Sequence, residues 1–214
     1  MVAFDTDFIS ALRRAGEATG RSGKAFKLHS GISEGEGAFL ESIIRSDPTI
    51  AHTLEVGCAC GFSSLHICRA LRGRPGARHV IVDPLQNGKW DGVGVANLDR
   101  AGVDYYSLLE EPSEFALPRL LSGGTTRFDL VFIDGWHTFD HTMLDCFYGT
   151  RLLRVGGVLA VDDTHFPSVG RAVAFVRQYP CYEPIDASGF DVPRMTALRK
   201  VAEDRRAWNW HADF

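Results

Sequence analysis

The feature that most restricts the fold is an alternation. Apolar runs of strand length recur along the 214 residues, and a helix-length amphipathic stretch separates each from the next. Strands are expected at about 52–57, 78–83, 104–108, 128–134 and 157–162, with helices at about 61–73, 91–101, 112–122, 138–153 and 167–179. Phe128-Asp-Leu-Val-Phe-Ile-Asp134 and Gly157-Val-Leu-Ala-Val-Asp162 are near-continuous apolar runs, as expected of strands covered by helices on both faces. Such alternation builds an α/β domain around a mostly parallel sheet. Gly156-Gly157 reads as a stop before the fifth strand, because glycine ends a helix readily. A further helix is expected at 34–46, and 1–27 reads as an amphipathic helix followed by a Gly/Ser/Lys break. Segments 182–186 and 194–199 would close the sheet as a terminal hairpin.

Composition removes several classes of function. Hydrophobic residues make up 45% and charged residues 23%, proportions of a globular chain and not of a disordered one. The formal net charge is −4, and the 19 arginines are scattered and outweighed by 27 acids. A nucleic-acid partner needs a concentrated basic field, so none is expected. No apolar run reaches the roughly 18 residues of a bilayer-spanning helix, so no membrane partner is expected either. The start, Met1-Val-Ala-Phe-Asp-Thr-Asp7, carries acids where a signal peptide carries lysines, and the five cysteines include no CxxC pair. Both point to a reducing, cytoplasmic setting.

In open α/β sheets, ligands bind beyond the carboxyl ends of the strands, where the strand order reverses. Leu54-Glu-Val-Gly-Cys-Ala-Cys-Gly-Phe-Ser-Ser64 is a strand running through a glycine-spaced turn into a helix. Gly57 and Gly61 allow close backbone approach to a ligand, and the helix start offers N–H groups to an anion. The spacing is G-x-x-x-G, so the dinucleotide fingerprint G-x-G-x-x-G is absent. Asp83 ends the second strand, 22 positions after Gly61, the place of an acid that bonds a ribose. Alone, such an acid serves equally as a helix cap. The fourth strand ends in Asp134-Gly-Trp-His137 and the fifth in Asp162-Asp163-Thr-His165. Three carboxylates in one cleft repel unless a cation lies among them, and Mg²⁺ prefers oxygen ligands. The alternative is that Asp163 caps a helix and Asp162 meets solvent. His137 is either a general base, suited by an ordinary pKa of roughly 6.5, or a structural histidine. Trp90, Trp136, Phe139 and Phe166 are candidates for the walls of an acceptor pocket, and Cys58 and Cys60 for small side chains within the turn.

Together these residues resemble a class I S-adenosylmethionine-dependent methyltransferase, of the metal-dependent group that methylates hydroxyls of small molecules. That resemblance implies a Rossmann-like, doubly wound, mostly parallel seven-stranded sheet with helices on both faces. It implies S-adenosylmethionine as cofactor, with Glu55, Gly57, Gly61 and Ser63 around its methionine portion and Asp83 on the ribose. Ser113-Glu-Phe-Ala-Leu-Pro118 resembles the segment that touches adenine, which adds Ser113 and Glu114, with Asp134 closing the cofactor side. Asp134, Asp162 and Asp163 resemble the Mg²⁺ ligands, the first two 28 positions apart. A histidine three residues after the first acid resembles the sugar-modifying members, where it is the base; catechol-type members carry lysine there. Asp134 and His137 are thus the expected catalytic pair. The resemblance implies an S-adenosylmethionine-binding methyltransferase domain at 31–200, between an N-terminal helical segment at 1–30 and a tail at 201–214. The partner expected is a small hydroxylated acceptor, either a sugar, a natural product or a phenol. The N-terminal segment and aromatic tail are candidates for a homo-oligomer interface. Rival readings are a metal-independent N- or C-methyltransferase, a non-catalytic S-adenosylmethionine-binding protein, and a nucleotide-dependent dehydrogenase, the last weakened by the missing fingerprint.

Overall fold

The computed structural model describes residues 6–29, 31–124 and 127–213. Met1–Asp5, on which the reading of the chain start rests, and Phe214 of the aromatic tail lie outside them. The chain opens with helix α1 (Thr6–Ala15) and a small antiparallel hairpin, β1 (Glu17–Thr19) and β2 (Ala25–Lys27). There follow α2 (Glu34–Ser46), β3 (His52–Val56), α3 (Phe62–Leu71), β4 (Arg78–Val82), α4 (Val93–Arg100), β5 (Tyr106–Leu109) and α5 (Ser113–Ser122). The second half is β6 (Phe128–Ile133), α6 (Phe139–Leu152), β7 (Leu153–Val161), α7 (Pro167–Val176), β8 (Tyr182–Pro184) and β9 (Thr196–Lys200).

The seven-stranded sheet runs β5-β4-β3-β6-β7-β9-β8. Strands β3 to β7 pair in parallel, and β9 joins antiparallel to β7 and β8. This is the expected α/β class, and the strand order reverses between β3 and β6. The core divides into an apolar cluster on each side of the sheet. Phe132, Leu130 and Ala160 pack with α2 and α3 on one side, and Val131, Ile133 and Leu159 pack with α6 and α7 on the other. All six residues of β6 are buried, which explains its near-continuous apolar sequence. Ile9 and Leu12 of α1 belong to the first cluster.

Two local expectations are corrected. Gly156-Gly157 does not stop the chain before the fifth strand, because β7 follows α6 directly at Leu153 and runs through both glycines. There the register slips between Phe128 and Leu130 of β6; Gly156 has φ +85°, and a Cβ on Gly157 would lie 2.8 Å from the Asp129 carbonyl oxygen. The glycines therefore form a bulge. The break after α1 is the hairpin β1–β2, which docks on the loop after β4. Asp91 Oδ2 accepts from the Ser22 hydroxyl at 2.6 Å and Asp91 Oδ1 from the Ser22 N–H at 3.1 Å.

The tail packs back on the body: Arg206 lies over the Tyr179 ring at 3.3 Å, and Trp210 meets Tyr179 edge-on at 5.6 Å. Among the described residues no helix is long and apolar enough to cross a membrane.

Helices α2 and α3 meet at Gly37, where a Cβ would lie 2.4 Å from the His66 ring. His66 cannot retreat, since its Nδ1 is 2.7 Å from Glu41 Oε1 and it is buried. Gly37→Ala is therefore expected to lower stability by about 1–3 kcal/mol, measured as a shift of the urea midpoint at constant slope.

Candidate active site

The turn after β3 is set by two glycines with distinct reasons to be glycine. Gly57 has φ +87°, and a Cβ there would meet the Asp134 carbonyl oxygen at 2.0 Å. Gly61 has φ +84° and would meet the Gly94 carbonyl oxygen at 2.7 Å. Gly57 thus lets the ends of β3 and β6 close on each other, and Gly61 lets α3 start beside α4. Ala59 between them holds φ +46°, an unfavourable region for a residue with a Cβ.

Glu55 is fully buried beneath this turn. Its carboxylate accepts hydrogen bonds from the hydroxyls of Ser63 and Ser64, and its Oε2 lies 2.8 Å from His79 Nε2. His79 Nδ1 pairs in turn with Thr53 Oγ1 at 2.8 Å. Asp83 braces the turn from β4. Its Oδ2 accepts from the N–H groups of Cys58 and Ala59, each at 3.0 Å, and from Gln86 Nε2 at 2.9 Å. Its Oδ1 accepts from the Leu85 N–H at 2.8 Å, and a carboxylate oxygen has room for a second donor.

A cavity of about 880 Å³ opens over these strand ends, within the size range of small-molecule sites. Of the expected cofactor residues, Gly57, Ser63, Asp83, Ser113, Glu114 and Asp134 line it. Glu55 and Gly61 do not, and the Ser63 hydroxyl is engaged by Glu55. These three therefore shape the turn from behind instead of meeting a ligand with their side chains. Trp90, Trp136 and Phe166 line the cavity, whereas Phe139, although half-exposed, lies outside it.

At the other end, His137 Nε2 lies 3.4 Å from Asp134 Oδ1 and 3.3 Å from Asp163 Oδ2. Ligand atoms of Asp134, His137 and Asp163 all fall within 4.8 Å of one another. Asp162 stands outside that set, so the expected three-aspartate cluster is corrected to two aspartates bridged by a histidine, with Asp162 behind them. Asp162 is nonetheless buried, and its Oδ1 has no hydrogen-bond partner. Burial, then the charge of Asp134, lifts the Asp162 carboxyl to about 8, and burial lifts Asp134 to about 6. The contact with Asp134 raises the His137 pKa above its ordinary value. Asp163 is held at φ +55°. Neither cap nor solvent contact describes these acids; they face one another across a ligand-sized space.

The cavity also holds groups that no sequence pattern singled out. Arg194 pairs side-on with Glu36, Nε to Oε1 at 3.1 Å and Nη2 to Oε2 at 2.7 Å, and its Nη1 reaches Asp163 Oδ1 at 3.3 Å. His29 and Lys89 line the cofactor side, with Lys89 Nζ 4.6 Å from the Trp90 ring. Behind the wall, Asp145 of α6 is buried with neither oxygen paired. Arg194 sits in a loop and Asp145 in an ordinary helix, so neither had a local signal.

Sheet order, glycine turn and acid-lined cavity define the class I methyltransferase fold. Residues 54–164 match the methyltransferase-domain family. The chain is 33% identical over 156 residues to catechol O-methyltransferase B of Danio rerio, an overlap of 71% of this chain and 56% of that protein. It thus spans a little over half the length of that curated relative. An O-methyltransferase from Bacillus cereus, solved in complex with SAH, has a TM-score of 0.69 at 18% identity over 92% of each chain. TomG from Streptomyces achromogenes, an O-methyltransferase involved in tomaymycin synthesis and solved with SAM, has a TM-score of 0.67 at 20% identity over 94% of this chain and 93% of its own. The chain belongs to the methyltransferase-domain family.

Burial raises the Asp145 carboxyl to about 7. A folded-state value above the unfolded one of about 3.9 means the native state binds more protons, so stability falls as pH rises from about 4 to 7. Asp145→Asn is therefore expected to raise stability above pH 7 by up to roughly 4 kcal/mol, and to give little gain at pH 4. Thermal melts of both proteins at pH 4, 6 and 8 check the slope.

Proposed function

We propose that the protein transfers a methyl group from S-adenosylmethionine to a hydroxyl of a small molecule. The observation that carries this reading is one cavity with two chemistries: the turn and acid at the ends of β3 and β4, and the acids and histidine at the ends of β6 and β7. Residues 31–200 would form the methyltransferase unit, with 1–30 and 201–214 packed around it. Asp83 Oδ1 has capacity for a ribose hydroxyl, and Gly57, Ser113, Glu114 and Asp134 wall the same half. Glu55, Gly61 and Ser63 hold the turn in shape. The buried, unpaired Asp162 Oδ1 beside two further carboxylates fits a divalent cation with a taste for oxygen. Asp134, Asp162 and Asp163 would hold Mg²⁺, which when bound would lower the pKa of an acceptor hydroxyl.

Methyl transfer is an in-line displacement at carbon, so alignment of acceptor and sulfonium supplies much of the rate. The acceptor oxygen forms the new bond to the methyl carbon as the carbon–sulfur bond breaks, and the released electron pair stays on sulfur in S-adenosylhomocysteine. His137 Nε2 takes the hydroxyl proton; Asp134 and Asp163, on either side of it, raise its basicity and stabilise the imidazolium. Trp136 and Phe166 are exposed at the rim and would cover a planar or ring-shaped acceptor, a sugar, natural product or phenol. The five cysteines are free and buried, in keeping with a cytoplasmic setting.

One observation favours a metal-independent variant of the same reaction: Asp163 already has Arg194 and His137 as cationic neighbours. Chelation separates the two. With a hydroxylated acceptor found by screening, turnover is expected to fall at least tenfold in EDTA and to recover with Mg²⁺, and His137→Ala to lower kcat by roughly 10²–10⁴-fold. Titration of S-adenosylmethionine by calorimetry is expected to give micromolar binding that Asp83→Ala weakens. No binding to the wild type would sink the reading.

A further inference from the structure

A carboxyl group lies behind the cavity wall where the proposed function puts the adenine base, and the protein makes no full hydrogen bond to it. Asp145, on α6, is 1% exposed, and neither of its oxygens has a partner. It lies against the wall itself, because a Cβ on Gly135 would be 3.4 Å from Asp145 Oδ2. Ser113, the first residue of α5, approaches it without closing a full hydrogen bond; with the charge of His141, one turn earlier on α6, it works against the effect of burial, while Glu114 adds to that effect. Ser113, Gly135 and His141 all line the cavity. Leaving a buried polar group unpaired is unfavourable, so an arrangement that pairs it only through a cavity-lining hydroxyl links Asp145 to what the cavity holds.

The chemistry of that link is directional. An ionised carboxylate only accepts, and a serine hydroxyl has one hydrogen to give. When the Ser113 hydrogen is turned toward Asp145, only lone pairs of the hydroxyl face the cavity. We propose that Asp145 is a positioning residue that fixes Ser113 as an acceptor, so that the cavity selects a base with an exocyclic amino group, adenine, over its 6-oxo counterpart. The amino group of adenine donates to Ser113. A 6-oxo group there would set two acceptors against each other, while Asp145 holds the only hydrogen between them. This inference rests on the reading of the cavity as an S-adenosylmethionine site.

The test compares S-adenosylhomocysteine with S-inosylhomocysteine by calorimetry at pH 8.5, on the wild type, Asp145→Leu, Asp145→Asn and Ser113→Ala. The wild type is expected to prefer the adenine compound by at least about tenfold. Asp145→Leu should bring the two affinities within about threefold of each other without lowering the melting temperature. A role in packing alone would alter both affinities together and leave their ratio untouched. Asp145→Asn keeps an acceptor oxygen and should restore part of the preference, and Ser113→Ala should abolish it. An unchanged ratio in Asp145→Leu overturns the proposal; should that variant not fold, an unchanged ratio in Ser113→Ala does so. A wild type that binds both compounds equally overturns this inference alone, whereas one that binds neither overturns the cofactor reading as well.

Discussion

Everything at the cavity depends on how the chain leaves β3, and that departure is anchored by a carboxylate with no contact with solvent. Glu55 gathers Ser63 and Ser64 from α3 and His79 from β4 around one buried group. A buried charge is tolerated only when its hydrogen bonds are satisfied, and here the partners come from three successive elements. The first turn of α3 is therefore fixed against two strands at once, although its cap, Gly61, offers no side chain. Asp83 repeats the device one strand over, gripping the backbone of Cys58 and Ala59. Between them the two acids hold Ala59 at its positive φ and keep Gly57 against Asp134. The scaffold thus places the end of β6, and with it the His137 cluster, relative to the glycine turn.

Much of this was legible in the residues, for a physical reason. A buried parallel strand must be apolar throughout, so β6 and β7 announced themselves, and polar residues at the ends of such strands can only face the crevice. Asp83, Asp134, Asp162, Asp163 and His137 were found in that way. What the sequence could not show was division of labour. Glu55 and Ser63 belong to the same motif as Gly57, but whether a side chain turns toward the ligand or beneath the turn is decided by neighbours from β4 and α3. The same holds for the place of His137 between two aspartates, which depends on the αL backbone of Asp163.

The misses share a cause. Strands of three residues such as Glu17–Thr19 and Ala25–Lys27 offer too few positions for a period to emerge, and their stability comes from contacts with Asp91 far along the chain. Gly156-Gly157 looked like punctuation because glycine ends helices; a bulge uses the same freedom inside a strand, and only the partner strand distinguishes the two. Arg194 and Asp145 carry no local signature, because their importance comes from what lies across the cavity wall.

The Glu36–Arg194 pair joins positions 158 apart, and Arg194 is also what reaches Asp163. The wall beside the His137 cluster is therefore made from both extremes of the chain, and it is finished only when the last hairpin is in place. During synthesis the glycine turn and the strand-end acids can gather early, yet Asp163 acquires its guanidinium partner only after some thirty further residues have emerged. A nascent chain would thus hold its acids without their counter-charge until the fold is nearly complete. Any molecule that binds between these walls prefers the closed chain over every partly folded form, so the ligand acts as a clasp for the whole protein.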